Sequence, residues 1–240
     1  MKTSTKNSKS ILTFILILGL PSLFLMSCSK PANLGNITTP IAGVAFVQAS
    51  PDQPTLDIFF NNSKYNNSPI AYGSAFGYAT VNAGKVPIAL YNDATVKTIV
   101  ADTLQIAQNV TYSLFLTNTV SNPQLFLLTD TLTKPTSGNC GLRFIDLSPD
   151  APAVDLVIKG GSKIASNLTF KEHSTFLPLQ GDTFYTLEVH AAGTSTVLAT
   201  LPNFKYQLNF LYTVWFHGLA AGTTSTDKLA VDIITNTYFM

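Results

Sequence analysis

Gly43-Val44-Ala45-Phe46-Val47-Gln48-Ala49-Ser50-Pro51-Asp52-Gln53-Pro54-Thr55-Leu56-Asp57-Ile58 returns later in the chain as Gly141-Leu142-Arg143-Phe144-Ile145-Asp146-Leu147-Ser148-Pro149-Asp150-Ala151-Pro152-Ala153-Val154-Asp155-Leu156. The spacing between the two is constant, and Gly, Phe, Ser-Pro-Asp, Pro and Asp coincide. Thr111-Tyr112-Ser113-Leu114-Phe115-Leu116 matches Leu211-Tyr212-Thr213-Val214-Trp215-Phe216 in the same way, after small insertions. Self-similarity at one spacing means a repeated structural unit, here of about 95 residues, the size of a small β-sandwich.

Each copy reads as strands. The first offers runs over 43–49, 56–60, 75–81, 86–91, 95–100, 111–117 and 124–129. The second offers 142–147, 154–158, 174–179, 184–190, 196–201, 210–216 and 229–234. Gly, Pro, Asn and Asp punctuate them at the even spacing of a sandwich or barrel. No segment holds a helical period over roughly eleven residues. Tyr112–Leu116 and Tyr212–Phe216 are apolar on both faces, which places them centrally in a sheet or against the other module. The expected fold is all-β: two tandem immunoglobulin-like antiparallel β-sandwiches over 41–134 and 141–240, joined by a linker at 135–140.

The N-terminus reads as an export signal. Lys2, Lys6 and Lys9 precede an apolar run, Ile11 to Leu20, that Pro21 interrupts. A basic start, a short apolar core and a small residue before the cut form the signal-peptide pattern, and the run is short for a spanning helix. Leu25-Met26-Ser27-Cys28 resembles the lipobox read by bacterial lipoprotein signal peptidase. That resemblance implies cleavage after residue 27, a diacylglyceryl thioether on Cys28 and a membrane partner held through that lipid. Residues 28–40 then form a polar tether with Pro31, Gly35 and Pro40. The location implied is the cell envelope. Ser29 resembles the outer-membrane sorting signal, and the side of the membrane stays open.

Loss of the leader removes three lysines and no acid, taking the formal charge from +1 to −2. No basic patch remains, so nucleic acid is not an expected partner. With Cys28 lipidated, Cys140 has no disulfide partner and is expected to be a buried, inert thiol.

Phe144-Ile145-Asp146-Leu147-Ser148-Pro149-Asp150-Ala151-Pro152-Ala153-Val154-Asp155 resembles the opening of the domain of unknown function DUF4397. In that family a strand leads to Ser-Pro-Asp-Ala-Pro and then Val-Asp on the next strand. The second copy matches closely; the first has Gln53 and Thr55 in place of the alanines. The resemblance implies an immunoglobulin-like sandwich in an exported protein, often a lipoprotein, and implies no reaction or ligand.

The candidate site residues divide by chemistry. Ser50, Pro51, Asp52 and Pro54, with Ser148, Pro149, Asp150 and Pro152, read as turns: Pro presets φ, and Ser and Asp bond nearby amides. A nucleophilic serine needs a base in reach, yet His173, His190 and His217 all lie in the second copy while the motif stands in both. Asp57 and Asp155, inside apolar strands, read as carboxylates locking the turn; calcium would require more oxygens than the sequence gathers there. Glu172, His173, Glu188 and His190 fall short of a zinc set unless His217 joins them. No metal, no cofactor and no catalytic residue is expected. Tyr65 and Tyr72, in a loop rich in Asn and Ser, are the candidate exposed aromatics for stacking a glycan. Asp102-Thr103-Leu104 and Asp130-Thr131-Leu132 resemble an acceptor triplet for protein O-glycosylation. The expected function is a non-enzymatic binding or scaffold protein whose partner is a glycan or another envelope protein. An adhesin-like spacer without a ligand is the alternative, ahead of an envelope hydrolase.

Overall fold

Along Leu56–Phe60 buried and half-exposed residues alternate one by one, the signature of a strand with one face on a core. The computed structural model describes residues 41–240, and among these every regular element is a strand. The export signal, Cys28 and the tether over 28–40 lie outside the described residues.

Sixteen strands form four four-stranded sheets. The first eight are β1 (Ile41–Gln48), β2 (Leu56–Phe60), β3 (Ser63–Lys64), β4 (Ala75–Asn82), β5 (Gly84–Asn92), β6 (Thr98–Ile106), β7 (Thr111–Thr117) and β8 (Gln124–Asp130). They build one sheet in the order β4-β1-β7-β8 and another in the order β3-β2-β5-β6. The next eight are β9 (Asn139–Asp146), β10 (Val154–Ile158), β11 (Lys163–Leu168), β12 (Leu177–Gln180), β13 (Thr183–Ala191), β14 (Val197–Tyr206), β15 (Phe210–His217) and β16 (Ala230–Tyr238). Their sheets run β12-β9-β15-β16 and β11-β10-β13-β14, the same order strand for strand. The fold is all-β, in two sandwiches. Pairing is antiparallel except at β1/β7 and β9/β15, which run parallel.

Two strands lay beyond the sequence reading. β3 is two exposed residues on a sheet edge. β11 is also an edge strand, and its burial shows no clean period of two. The expected linker at 135–140 is shorter than read: Asn139 and Cys140 already pair with Gln180 and Leu179 of β12.

Each sandwich has its own core. Val44, Phe46, Leu56, Ile58, Leu90 and Leu114 pack in the first. Leu142, Phe144, Val154, Leu156, Val189 and Val214 pack in the second. A third buried cluster joins them: Val47, Ala49, Phe115 and Leu128 from the first sandwich against Ile145, Leu147 and Trp215 from the second. These are the alternate residues of the same strands. Leu114 and Leu116 of β7 face inward while Phe115 between them enters the seam, which is why that strand is apolar on both faces. The two sandwiches accordingly fall within one compact unit. The recurring glycine has a packing reason: a Cβ on Gly141 would meet Leu211 Cδ2 at 2.4 Å.

Candidate functional site

The recurring motif is consumed by architecture. The Ser50 hydroxyl donates to the Asn118 carbonyl at 2.6 Å, and the Ser148 hydroxyl donates to the Gly218 carbonyl at 2.8 Å. Both serines are buried at the start of the turn, each tied to the first residue after the neighbouring central strand. Neither hydroxyl meets a histidine, so neither has the base a nucleophile needs. Asp150 accepts from the Ala220 and Ala221 amides, whereas Asp52 is exposed with φ of 59°. Pro51 is buried, Pro54 and Pro149 are half-buried and Pro152 is exposed.

Asp57 and Asp155 each hold a lysine from the adjoining edge strand. Lys64 Nζ lies 2.7 Å from Asp57 and Lys163 Nζ lies 2.5 Å from Asp155. Burial opposes the charge on both. Lys64 and Asn66 nevertheless hold Asp57 below the usual carboxylate range, and Lys163 with the Gly193 and Asn167 amides does the same for Asp155.

Gln48 and Asp146 occupy matching places before the turn. Gln48 Oε1 accepts from the Ser50 amide at 2.7 Å, and Asp146 Oδ1 accepts from the Ser148 amide at 2.9 Å. Both are fully buried, and Asp146 Oδ2 has no partner. Burial, with the charge of Glu172 adding to it against the Ser148 amide, pushes the Asp146 carboxyl up to about 7. The neutral acid is the stable form of this site, so its contribution is full below about pH 4 and is lost as pH rises through about 7. Asp146→Asn keeps the acceptor and removes the charge. We expect it to raise stability by on the order of 2 kcal/mol at about pH 8 and to change little at about pH 4. Urea midpoints at the two pH values measure this directly; an equal effect at both would contradict it.

The seam carries a continuous polar chain. Arg143 Nη1 meets Asp130 Oδ1 at 2.6 Å, with side chains 3% and 0% exposed. Arg143 also donates to Thr213 Oγ1 and Ser113 Oγ. Asp130 Oδ2 accepts from Tyr78 and Ser113, Thr213 donates to Asn236, and Asn236 Nδ2 donates to the Tyr78 hydroxyl. The chain crosses between sandwiches more than once. Asp130 therefore serves as the counter-ion of the seam, and Thr131 beside it is exposed. Asp102 and Thr103 of the other triplet are exposed on β6.

A second crossing joins Tyr72 to His217. The Tyr72 hydroxyl lies 2.5 Å from His217 Nδ1, and His217 Nε2 lies 2.9 Å from Asp232 Oδ2. Burial, helped by the charges of Asp232, Asp52 and Asp227, pushes the Tyr72 phenol up, so it stays protonated in this contact. The imidazole is 2% exposed and stacked on Trp215 at 4.0 Å between centroids. Both nitrogens and one face are thus occupied.

This corrects the reading of Tyr65 and Tyr72 as an exposed pair. Tyr72 is half-buried and spent on the seam, while Tyr65 is 41% exposed. The ring beside Tyr65 is Phe76, at 5.0 Å between centroids.

The remaining candidates stand apart. Glu172 accepts from Thr169 and His173 contacts the Ser174 carbonyl. Glu188 sits between His190 and Lys159. Among the described residues no three His, Cys, Asp or Glu side chains converge on a point where a metal would bind. Cys140 is buried, bonds the Leu179 carbonyl, and burial pushes its thiol up to about 11.

Two clefts open beside the seam and a third is lined by the first sandwich alone. One of about 400 Å³ lies under the linker and includes Arg143, His173 and Phe176. One of about 340 Å³ lies between β4 and β16. A third, of about 430 Å³, lies beside Tyr65 and shares Ala75 and Phe76 with the second.

Residues 42–157 match the model of the domain of unknown function DUF4397, spanning the first sandwich and continuing through the second motif into β10. No curated protein matches the chain. Among solved structures, a carbohydrate-binding module of family CBM26 from Eubacterium rectale Amy13K, in complex with maltoheptaose, is similar at 9% identity. The similarity covers 82% of this chain and 97% of that chain at a TM-score of 0.27. A superposition that loose carries no argument about ligand.

Proposed function

We propose that both sandwiches are copies of the DUF4397 domain and that the protein is a non-enzymatic binding scaffold of the bacterial cell envelope. It is held at the outer membrane by lipid on Cys28. The observation that carries this reading is where the duplicated polar residues are spent. Ser50 and Ser148 secure turns, and Asp57 and Asp155 secure edge strands. Duplication has preserved architecture twice and a reactive set not at all. A binding scaffold needs that stiffness, because a surface ordered beforehand loses less entropy on binding.

Anchoring follows from chemistry the sequence supplies. One acyl chain gives marginal membrane binding, whereas two or more hold stably. A lipidated Cys28 is therefore a sufficient anchor. Metabolic labelling with a clickable fatty acid, followed by membrane fractionation, tests it. Label and membrane residence are expected in the wild type and both are expected to vanish in Cys28→Ala. An unlabelled wild-type chain, or label that survives the substitution, would overturn the anchor.

A further inference from the structure

The turns ahead of β4 and β12 are one structure built twice, first from neutral residues and then from ionisable ones. In the first sandwich the Gln48 amide donates to the Ser74 carbonyl at 2.9 Å, and the Gly73 amide donates to the Gln48 carbonyl at 3.0 Å. In the second the Asp146 amide donates to the Glu172 carbonyl at 3.1 Å, and the Lys171 amide donates to the Asp146 carbonyl at 2.7 Å. The Ser74 and Glu172 amides close the two turns on the Ala71 and Thr169 carbonyls. Gly73 has φ of 79° and Lys171 has φ of 69°. That left-handed conformation is natural for glycine and strained for lysine. Gln48, Gly73 and Ser74 therefore correspond to Asp146, Lys171 and Glu172. The same backbone bonds hold both turns, so the charges of the second are not what forms it.

Lys171 has a use that Gly73 cannot have. Its Nζ donates to Gln124 Oε1 of β8, in the first sandwich. The same ammonium lies 5.1 Å from the Phe170 ring centre and 5.9 Å from that of Phe126 on β8. The turn over 169–174 is thus a strap from the second sandwich to the first. Glu172 closes it from within: its carboxylate accepts from the Thr169 amide and hydroxyl, which keep it charged.

Asp146 lies where the strap is fastened. Its backbone carries two of the strap's hydrogen bonds, and its carboxyl is fully buried with one oxygen unpaired. The charged groups around it are spent elsewhere or oppose it. Lys171 is turned to Gln124, and Asp150 accepts from the Ala220 and Ala221 amides. His173 contacts the Ser174 carbonyl, and His217 is held by Tyr72 and Asp232. Glu172 adds a second negative charge. As a neutral acid, Asp146 does what Gln48 does and accepts from the serine amide two residues on. As a carboxylate it is a buried, uncompensated charge that only water can relieve, and water enters when the strap lifts.

We propose that the strap over 169–174 is a pH-gated latch on the seam, closed when Asp146 is protonated and lifted when it is ionised. Lifting frees Lys171 from Gln124 and uncovers Phe126. The Arg143–Asp130 pair and the Tyr72–His217 contact stay in place, so the sandwiches remain joined. Protonation favours the closed form, so the latch is tightest in acid and loosens as pH rises to neutrality.

Hydrogen exchange on the full chain, read by mass spectrometry at about pH 5 and about pH 8 and corrected for intrinsic rates, tests the latch. Peptides over 144–148 and 169–174 are expected to lose protection by about tenfold or more at the higher pH. Peptides over 46–50 and 71–76, the neutral copy of the same turn, are expected to keep theirs within about twofold. Asp146→Asn keeps the acceptor without the charge and is expected to hold the strap closed at both pH values. Three results would each overturn the latch. The first is equal protection over 169–174 at both pH values. The second is a fall there that survives Asp146→Asn. The third is a fall of the same size in the neutral copy, which would mean a general loosening of the chain.

Discussion

Arg143→Ala is expected to cost about 3–5 kcal/mol of stability, because removing one partner of a buried ion pair leaves the other charged and unsolvated. Asp130 would keep its hydrogen bonds from Tyr78 and Ser113, but those two hydroxyls are all that would then face its charge. The loss should appear in the denaturant midpoint with the slope unchanged. A companion substitution separates the ion pair from the site it fills. Arg143→Met with Asp130→Leu removes both charges and keeps the volume apolar, and such replacements are often neutral or stabilising. We therefore expect the double variant to recover most of the loss. If the single variant costs less than about 1 kcal/mol, the pair is solvated and the seam is not the closed contact described.

Trp215→Ala is expected to cost about 3–5 kcal/mol, the usual price of emptying a buried aromatic position. Trp215 is 1% exposed, lies in the cluster between the sandwiches, and supports His217 by stacking. Its removal acts on the seam and leaves Leu114, Val214 and the other inward residues of both cores in place. The thermal transition of the variant should accordingly separate into two, one for each sandwich, where the wild type shows one. A single transition at a lower temperature would mean that the sandwiches do not fold as separable units.

Most of the strand plan was legible because a sheet with one face buried writes its period of two into the sequence. Leu56–Phe60, Thr111–Thr117 and Val154–Ile158 were bounded to the residue. The seam was half legible. Tyr112–Leu116 and Tyr212–Phe216 showed two apolar faces, which requires a second partner surface without naming it. The polar chain was not legible. Arg143 standing where the first copy has Ala45, a charge inside an apolar strand, was the available signal. Its partner Asp130, however, stood within a triplet that read as a modification site, and nothing local joins two residues on different sandwiches. Tyr72 misled for the same reason. Its loop composition promised exposure, and only the fold shows that the loop meets His217.

The two sandwiches are held as one body by a buried, hydrogen-bonded seam. Amide residual dipolar couplings collected from both sandwiches in one weakly aligning medium measure this directly. All of them are expected to fit a single alignment tensor with the geometry described. Two tensors of different magnitude, one for residues 41–130 and another for 139–238, would show the halves tumbling separately and would contradict it.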